Sequence, residues 1–179
     1  EAADTSHSAI LGGNFHSAWV PEHENMKRLC FISRFASSLF YPDLEPVHGG
    51  TETQCYLNSR ELAKDPNLDV HLILQGEPLP NPDIIDDVRI HHYPFKTGWI
   101  ARTRFQCLLK SINADVHIQV GISSTTKEVA FYCKWRRSRF IYWIASNRDI
   151  DLSIPAGNLK RNKAFEWGML KANRIIAQT

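Results

Sequence analysis

Short apolar runs alternate along the chain with longer segments whose apolar residues recur at helical spacing. The short runs predict buried strands, and the longer segments predict helices packed on one face. The predicted strands are residues 29–33, 70–74, 88–93, 115–120, 140–144 and 174–177. The predicted helices are residues 51–64, 99–112, 125–135 and 158–173.

This alternation predicts a mainly parallel sheet whose strands are joined by right-handed crossovers. The run 140–144 is apolar throughout, as expected of a strand that is covered on both faces. We therefore expect residues 26–179 to form a three-layer α/β/α Rossmann-like domain with a sheet of about six strands.

Residues 1–25 lack this periodicity, and we interpret them as an N-terminal tail, natural or added, with Met26 as a natural start. The tail has no basic region followed by an apolar core, so it does not resemble a secretory signal. No apolar run approaches the roughly 18 residues that a membrane span needs.

The most informative loop lies between the first strand and the first helix and contains Gly49 and Gly50. Adjacent glycines let the backbone approach a ligand closely, and the first N–H groups of a helix favour an anion such as phosphate. Thr51 and Gln54 fit a capping box at the start of this helix. The alternative interpretation is a plain glycine turn capped by Thr51.

Ligands of parallel α/β sheets bind beyond the carboxyl ends of the strands, where the strand order reverses. This rule brings together polar residues that are distant in sequence, and hydroxyl and amide groups suit a polyhydroxylated ligand. Such residues are also ordinary components of loops. The candidates for this cleft are Ser33, Arg34, His48, Gln119, Gly121, Ser146, Asn147 and Asp149.

Composition narrows the function classes further. The 179 residues are 43% hydrophobic, enough for a sizeable core, and carry a net charge of only +2. The basic residues are spread and no nucleic-acid motif appears, so we expect no nucleic-acid partner. The four cysteines form no CxxC pair, which indicates structural free thiols in a reducing compartment such as the cytoplasm.

Two smaller signals have competing interpretations. The basic stretch 134–139 fits weak contact with an anionic membrane surface, or simply a helix C-terminus whose cations offset the dipole. His91 and His92 lack a third ligand at metal-binding spacing, so we predict no metal site.

Several motifs together resemble the N-terminal, acceptor-side domain of GT-B glycosyltransferases of the family-4 type. The family's usual form is a strand ending in Ser, a Tyr-Pro loop, Gly-Gly-Ala/Thr-Glu and a helix ending in Glu-Leu-Ala-Lys. The matching residues are 31–33 (Phe-Ile-Ser), 41–42 (Tyr-Pro), 49–52 (Gly-Gly-Thr-Glu), 60–64 (Arg-Glu-Leu-Ala-Lys), 69–72 (Asp-Val-His-Leu), 114–116 (Ala-Asp-Val) and 172–177 (Ala-Asn-Arg-Ile-Ile-Ala).

The resemblance implies a retaining, metal-independent transfer from a nucleotide-sugar donor to a sugar, lipid or other acceptor, with no further cofactor. It also implies that Gly49, Gly50, Thr51 and Glu52 lie at the donor phosphates. Many members carry a histidine after the fourth strand and another after the fifth, where this chain has Gln119 and Ser146. We therefore assign no catalytic residue.

The family's second domain, which binds most of the nucleotide sugar, has no counterpart in these residues. The expectation is an acceptor-side half that is inactive by itself, cytoplasmic or peripherally attached to a membrane. The alternative from another class is a non-catalytic Rossmann-like module that binds a sugar or a nucleotide.

Overall fold

The computed structural model describes residues 26–34, 36–41, 43–44, 49–75, 84–93, 98–145 and 159–177. The predicted tail and four of the cleft candidates (His48, Ser146, Asn147 and Asp149) lie outside these residues.

The described part is an alternation of strands and helices, as the apolar pattern predicts. The strands are β1 (Lys27–Ser33), β2 (Leu68–Gln75), β3 (Ile84–Ile85), β4 (Val88–Tyr93), β5 (Val116–Val120), β6 (Arg139–Ile144) and β7 (Arg174–Ala177). The helices are α1 (Ser37–Phe40), α2 (Gly50–Ala63), α3 (Trp99–Ile112), α4 (Thr126–Arg136) and α5 (Leu159–Met169).

All strands form one sheet with the order β3-β4-β2-β1-β5-β6-β7. Among the strands that the structure describes, only the β3–β4 pair is antiparallel. In β1, Phe31 is paired with Leu72 of β2 on one side and with Ile118 of β5 on the other. The chain therefore builds the sheet outward from β1 in both directions, and the strand order reverses between β1 and β5.

Helices cover both faces of the sheet, which confirms the three-layer α/β/α architecture. On one face, Phe40 of α1 and Cys55 of α2 pack against Phe31, Leu72 and neighbouring strand residues. On the other face, side chains of α3, α4 and α5 pack against the alternate strand residues; they include Phe105, Leu109, Val129, Ala130 and Phe165.

The structure adds two short elements that the pattern did not predict, β3 and α1, and ends one helix earlier than predicted. The sheet has seven strands, because Asp86 and Asp87 adopt positive φ values of 50° and 63° and turn the short β3 back onto β4. Helix α1 was not predicted, because four residues are too few to show the helical spacing of apolar positions. Helix α5 ends at Met169 instead of Asn173, since the backbone N–H and side-chain oxygen of Asn173 bond to Phe140 at the start of β6.

The amino ends of three strands are tied together by Asp69, far from the carboxyl ends where ligands bind. Its carboxylate contacts Arg28 of β1 and Arg89 of β4 at 2.9 Å, and His71 of β2 at 3.0 Å. Burial alone would raise the pKa of Asp69, but hydrogen bonds from His71, Arg89 and Arg28 outweigh it and lower the pKa to about 2.

Candidate functional site

The candidate site lies at the carboxyl ends of β1 and β5, where the strand order reverses. Helix α2 begins at this edge and meets the end of β6, because the Thr51 hydroxyl donates to the Ala145 carbonyl at 3.0 Å. This bond brings the Gly49–Gly50 junction beside the chain that leaves β6. A crevice at such a reversal is the usual ligand position in parallel α/β folds.

The two glycines form an open junction at the start of α2. Both are exposed, and a Cβ on Gly50 would meet no atom within 4 Å. A Cβ on Gly49 would meet only the carboxylate end of the Glu52 side chain, at 3.1 Å. Neither glycine has a positive φ. Backbone geometry therefore does not demand glycine at either position, and the open junction leaves room for a ligand to approach the backbone.

The predicted capping box of Thr51 and Gln54 is wrong. The N-cap is Gly49, so Glu52 occupies the third helical position, and its carboxylate accepts the Gly49 N–H at 2.9 Å. Thr51 is already engaged by Ala145. Because Gly49 has no side chain, it leaves the N–H groups of the first turn without the usual side-chain cap.

On the α2 face of the sheet, Nε1 of Trp143 near the end of β6 is buried and has no hydrogen-bond partner among the described residues. Oγ of Ser33 at the end of β1 is also buried, and its polar contact is with the thiol of Cys55. Burial raises the pKa of this thiol to about 12, with Glu52 adding to the shift and Ser33 opposing it. An unsatisfied buried group like the Trp143 N–H calls for a specific explanation, such as a bound ligand.

Gln119 and Gly121 of the predicted cleft have structural roles. Gln119 is fully buried, and its side-chain nitrogen donates to the Ile32 carbonyl at 3.3 Å, which links β5 to β1. Its carboxamide oxygen has no partner in the described part of the chain. Gly121 has φ +67°, and a Cβ there would lie 3.1 Å from that of Ala145. Glycine is therefore required by the turn after β5.

The remaining candidates are less informative. Arg34 follows β1 directly and is partly buried. His91 and His92, considered above as a metal pair, have separate contacts: His91 bonds to His71 at 2.8 Å and His92 to Tyr41 at 3.0 Å. The described ranges contain no group of three side chains placed to hold a metal ion.

The described groups at the switch point can form hydrogen bonds to a ligand. A helix N-terminus, a hydroxyl and an indole N–H can recognise phosphate and sugar oxygens. The high pKa of Cys55 keeps its thiol protonated and a poor nucleophile. Sequence reasoning missed Trp143 and the Thr51–Ala145 bond; the position of Trp143 near the end of an apolar strand was the available signal.

Comparison with protein-family models and with curated proteins gives no match for this chain. Within the described ranges, no helix has both the length and the apolar character that crossing a membrane requires.

Proposed function

We propose that this chain is the acceptor-side domain of a retaining GT-B glycosyltransferase, which moves a sugar from a nucleotide-sugar donor to a sugar, lipid or other acceptor. The observation that carries the proposal is the exposed Gly49–Gly50 junction, which starts α2 at the strand-order reversal without a fold-related need for glycine. Backbone there can approach a diphosphate, and the N-terminus of α2 favours its negative charge.

The proposed role of each residue follows from its position at the start of α2 or at the carboxyl end of a strand. Gly49, Gly50 and the first-turn N–H groups of α2 would face the donor phosphates. Trp143 would offer its indole N–H to the bound sugars. Glu52 would hold the junction in place through its bond to the Gly49 N–H. No further cofactor or metal is part of the proposal.

A second candidate function is a non-catalytic module that binds a sugar or a nucleotide. The described part of the site favours it, because the one group there with a shifted pKa is the Cys55 thiol. The raised pKa keeps this thiol protonated and therefore a poor nucleophile. Binding groups without a base or nucleophile are sufficient for a sensor.

Glycosyl transfer by the protein encoded by the full reading frame tests the first proposal. The assay supplies labelled UDP-, GDP- and ADP-hexoses with a panel of sugar and lipid acceptors. We expect Gly50→Val to lower transfer by about 100-fold, because its side chain would enter the space proposed for the diphosphate. Leu57→Val is the matched control, since it places the same β-branched residue at an exposed position of the same helix. Normal transfer by Gly50→Val would contradict the role of the junction.

Calorimetric titration of the 179-residue chain with the same donors separates the two functions. An acceptor-side domain lacks the charged phosphate contacts of a second domain, each worth about 1.5–3 kcal/mol, so its donor affinity should be weak or undetectable. Micromolar binding to the isolated chain would instead support the self-sufficient module.

A further inference from the structure

The outer surface of the α3–α4–α5 layer exposes large aromatic side chains. Trp99 is 76% exposed, Phe131 59% and Trp135 65%, whereas helix α2 on the other face exposes one large apolar side chain, Leu57, within the described ranges. Tryptophan is usually well buried, so several exposed tryptophans on one layer indicate a surface that meets something.

Two of these side chains, Phe131 and Trp135, line a groove between α3 and α4. Lys127, Phe131 and Trp135 are four residues apart along α4 and so share its outward face. The groove encloses about 530 Å³ and is lined by Arg102, Gln106, Lys127, Glu128, Phe131 and Trp135.

The same region is strongly basic. Residues 98–139 contain eight Lys and Arg but two Asp and Glu, although the whole chain has a net charge of only +2. Both acids are engaged: Glu128 pairs with Arg102 at 3.1 Å, and Asp115 accepts the Arg28 N–H at 2.9 Å. The basic residues are Arg102, Arg104, Lys110, Lys127, Lys134, Arg136, Arg137 and Arg139.

We propose that this aromatic–basic face, formed by Trp99, Arg102, Lys127, Phe131, Lys134 and Trp135, docks on the surface of an anionic phospholipid membrane. Trp and Phe side chains settle at the headgroup level, and Lys and Arg reach the lipid phosphates along their apolar stems. The binding is peripheral, and it does not depend on the glycosyl-transfer proposal.

Other occupants fit the face less well. Protein–protein interfaces are depleted in lysine, whereas Lys127 and Lys134 lie beside the aromatic side chains and have no acidic partner in the described part of the chain. A second copy of this chain would bring two strongly positive surfaces together, and this repulsion opposes pairing. An anionic lipid surface complements the charge and accepts the aromatic rings.

Co-sedimentation of the 179-residue chain with lipid vesicles tests the proposal. Vesicles of phosphatidylcholine with about 30% phosphatidylglycerol should bind the chain, and pure phosphatidylcholine should bind it much more weakly. Raising NaCl from about 0.1 M to about 0.5 M should weaken binding, because salt screens the surface charge. Sedimentation without vesicles gives the background to subtract.

Matched variants assign the binding to this face. Lys134→Gln should weaken vesicle binding about fivefold, whereas Lys64→Gln, at the C-cap of α2, should leave it within about twofold. The double variant with Phe131→Ser and Trp135→Ser should weaken binding by at least about tenfold, and Leu57→Ser is its control. The substituted side chains are exposed, so the variants should keep the far-ultraviolet circular dichroism of the parent.

Three results would overturn the proposal. One is the absence of binding to anionic vesicles, which would leave an acidic protein as the better occupant. Another is equal binding to neutral and anionic vesicles. The third is a self-association in analytical ultracentrifugation that the Phe131→Ser and Trp135→Ser variant abolishes, which would make the face a contact between copies.

Discussion

At the scale of single residues, Glu52 shows how one side chain organises the start of α2. Its carboxylate accepts the Gly49 N–H at 2.9 Å and lies in the first turn, where the helix dipole favours negative charge. We expect Glu52→Ala to lower the free energy of unfolding by about 1 kcal/mol. Urea denaturation measures this change.

Glu61→Ala is the matched control for that substitution, because Glu61 lies in the last turn of the same helix and pairs with Lys64 on the exposed surface. Its effect should stay within about 0.5 kcal/mol. Equal losses for Glu52→Ala and Glu61→Ala would contradict a specific role for the Gly49 contact.

At the scale of elements, α5 approaches α4 at Gly168. A Cβ on Gly168 would lie 2.9 Å from the Lys127 nitrogen and from the carbonyl carbon and oxygen of Thr126, all of which are backbone atoms. Gly168→Ala should therefore lower the free energy of unfolding by about 1–3 kcal/mol, even though alanine is the better helix former. Gly50→Ala is the control, since its Cβ meets open space. A neutral Gly168→Ala would contradict this packing of α4 and α5.

Asp69 acts between elements because it joins β1, β2 and β4. Asp69→Asn should lower the free energy of unfolding by about 1–3 kcal/mol at pH 7, a range that allows for partial solvent screening of Arg28 and Arg89. The folded-state pKa of Asp69 is depressed from 3.8 to about 2. The contribution of its charge is therefore complete above pH 3.8 and disappears as the pH falls through 2. Urea denaturation of the parent and of Asp69→Asn at pH 7 and pH 2 measures the contribution of the charge. An equal difference in the free energy of unfolding at the two pH values would contradict the prediction.

At the scale of the whole molecule, buried neutral histidines make the fold sensitive to acid. Burial lowers the pKa of His117 from 6.5 to about 4. It also lowers the pKa of His71, against the opposing effect of Asp69. Below pH 6.5 the unfolded chain binds protons that the folded chain does not. Stability is therefore complete above pH 6.5 and falls as the pH drops toward 4.

His117→Gln should flatten this acid dependence. For His117 alone, the loss between pH 6.5 and pH 4 approaches about 3 kcal/mol, at about 1.4 kcal/mol per pH unit. Urea denaturation at several pH values in that window measures the slope for the parent and the variant. Parallel curves would contradict a buried neutral His117.

Much of the architecture could be predicted because apolar periodicity records burial directly. The pattern of 99–112 predicted α3 with its observed bounds, and the apolar run 140–144 lies within β6. The candidate site was less predictable, since two of its predicted residues have structural roles. Gly121 is needed for a turn with positive φ, and the Gln119 side chain bonds β5 to β1. The capping prediction failed because Thr51 satisfies Ala145, a contact across 94 residues that no local pattern contains.

The sequence by itself determined the alternation of strands and helices and the three-layer class, because each element must bury its own apolar face. Tertiary structure alone decided which residues meet. It placed β5 beside β1, brought the start of α2 to the end of β6, and gathered exposed aromatic and basic side chains on the α3–α4 surface. The physical reason is that local patterns encode burial, whereas strand order and long-range contacts depend on how distant segments pack in space.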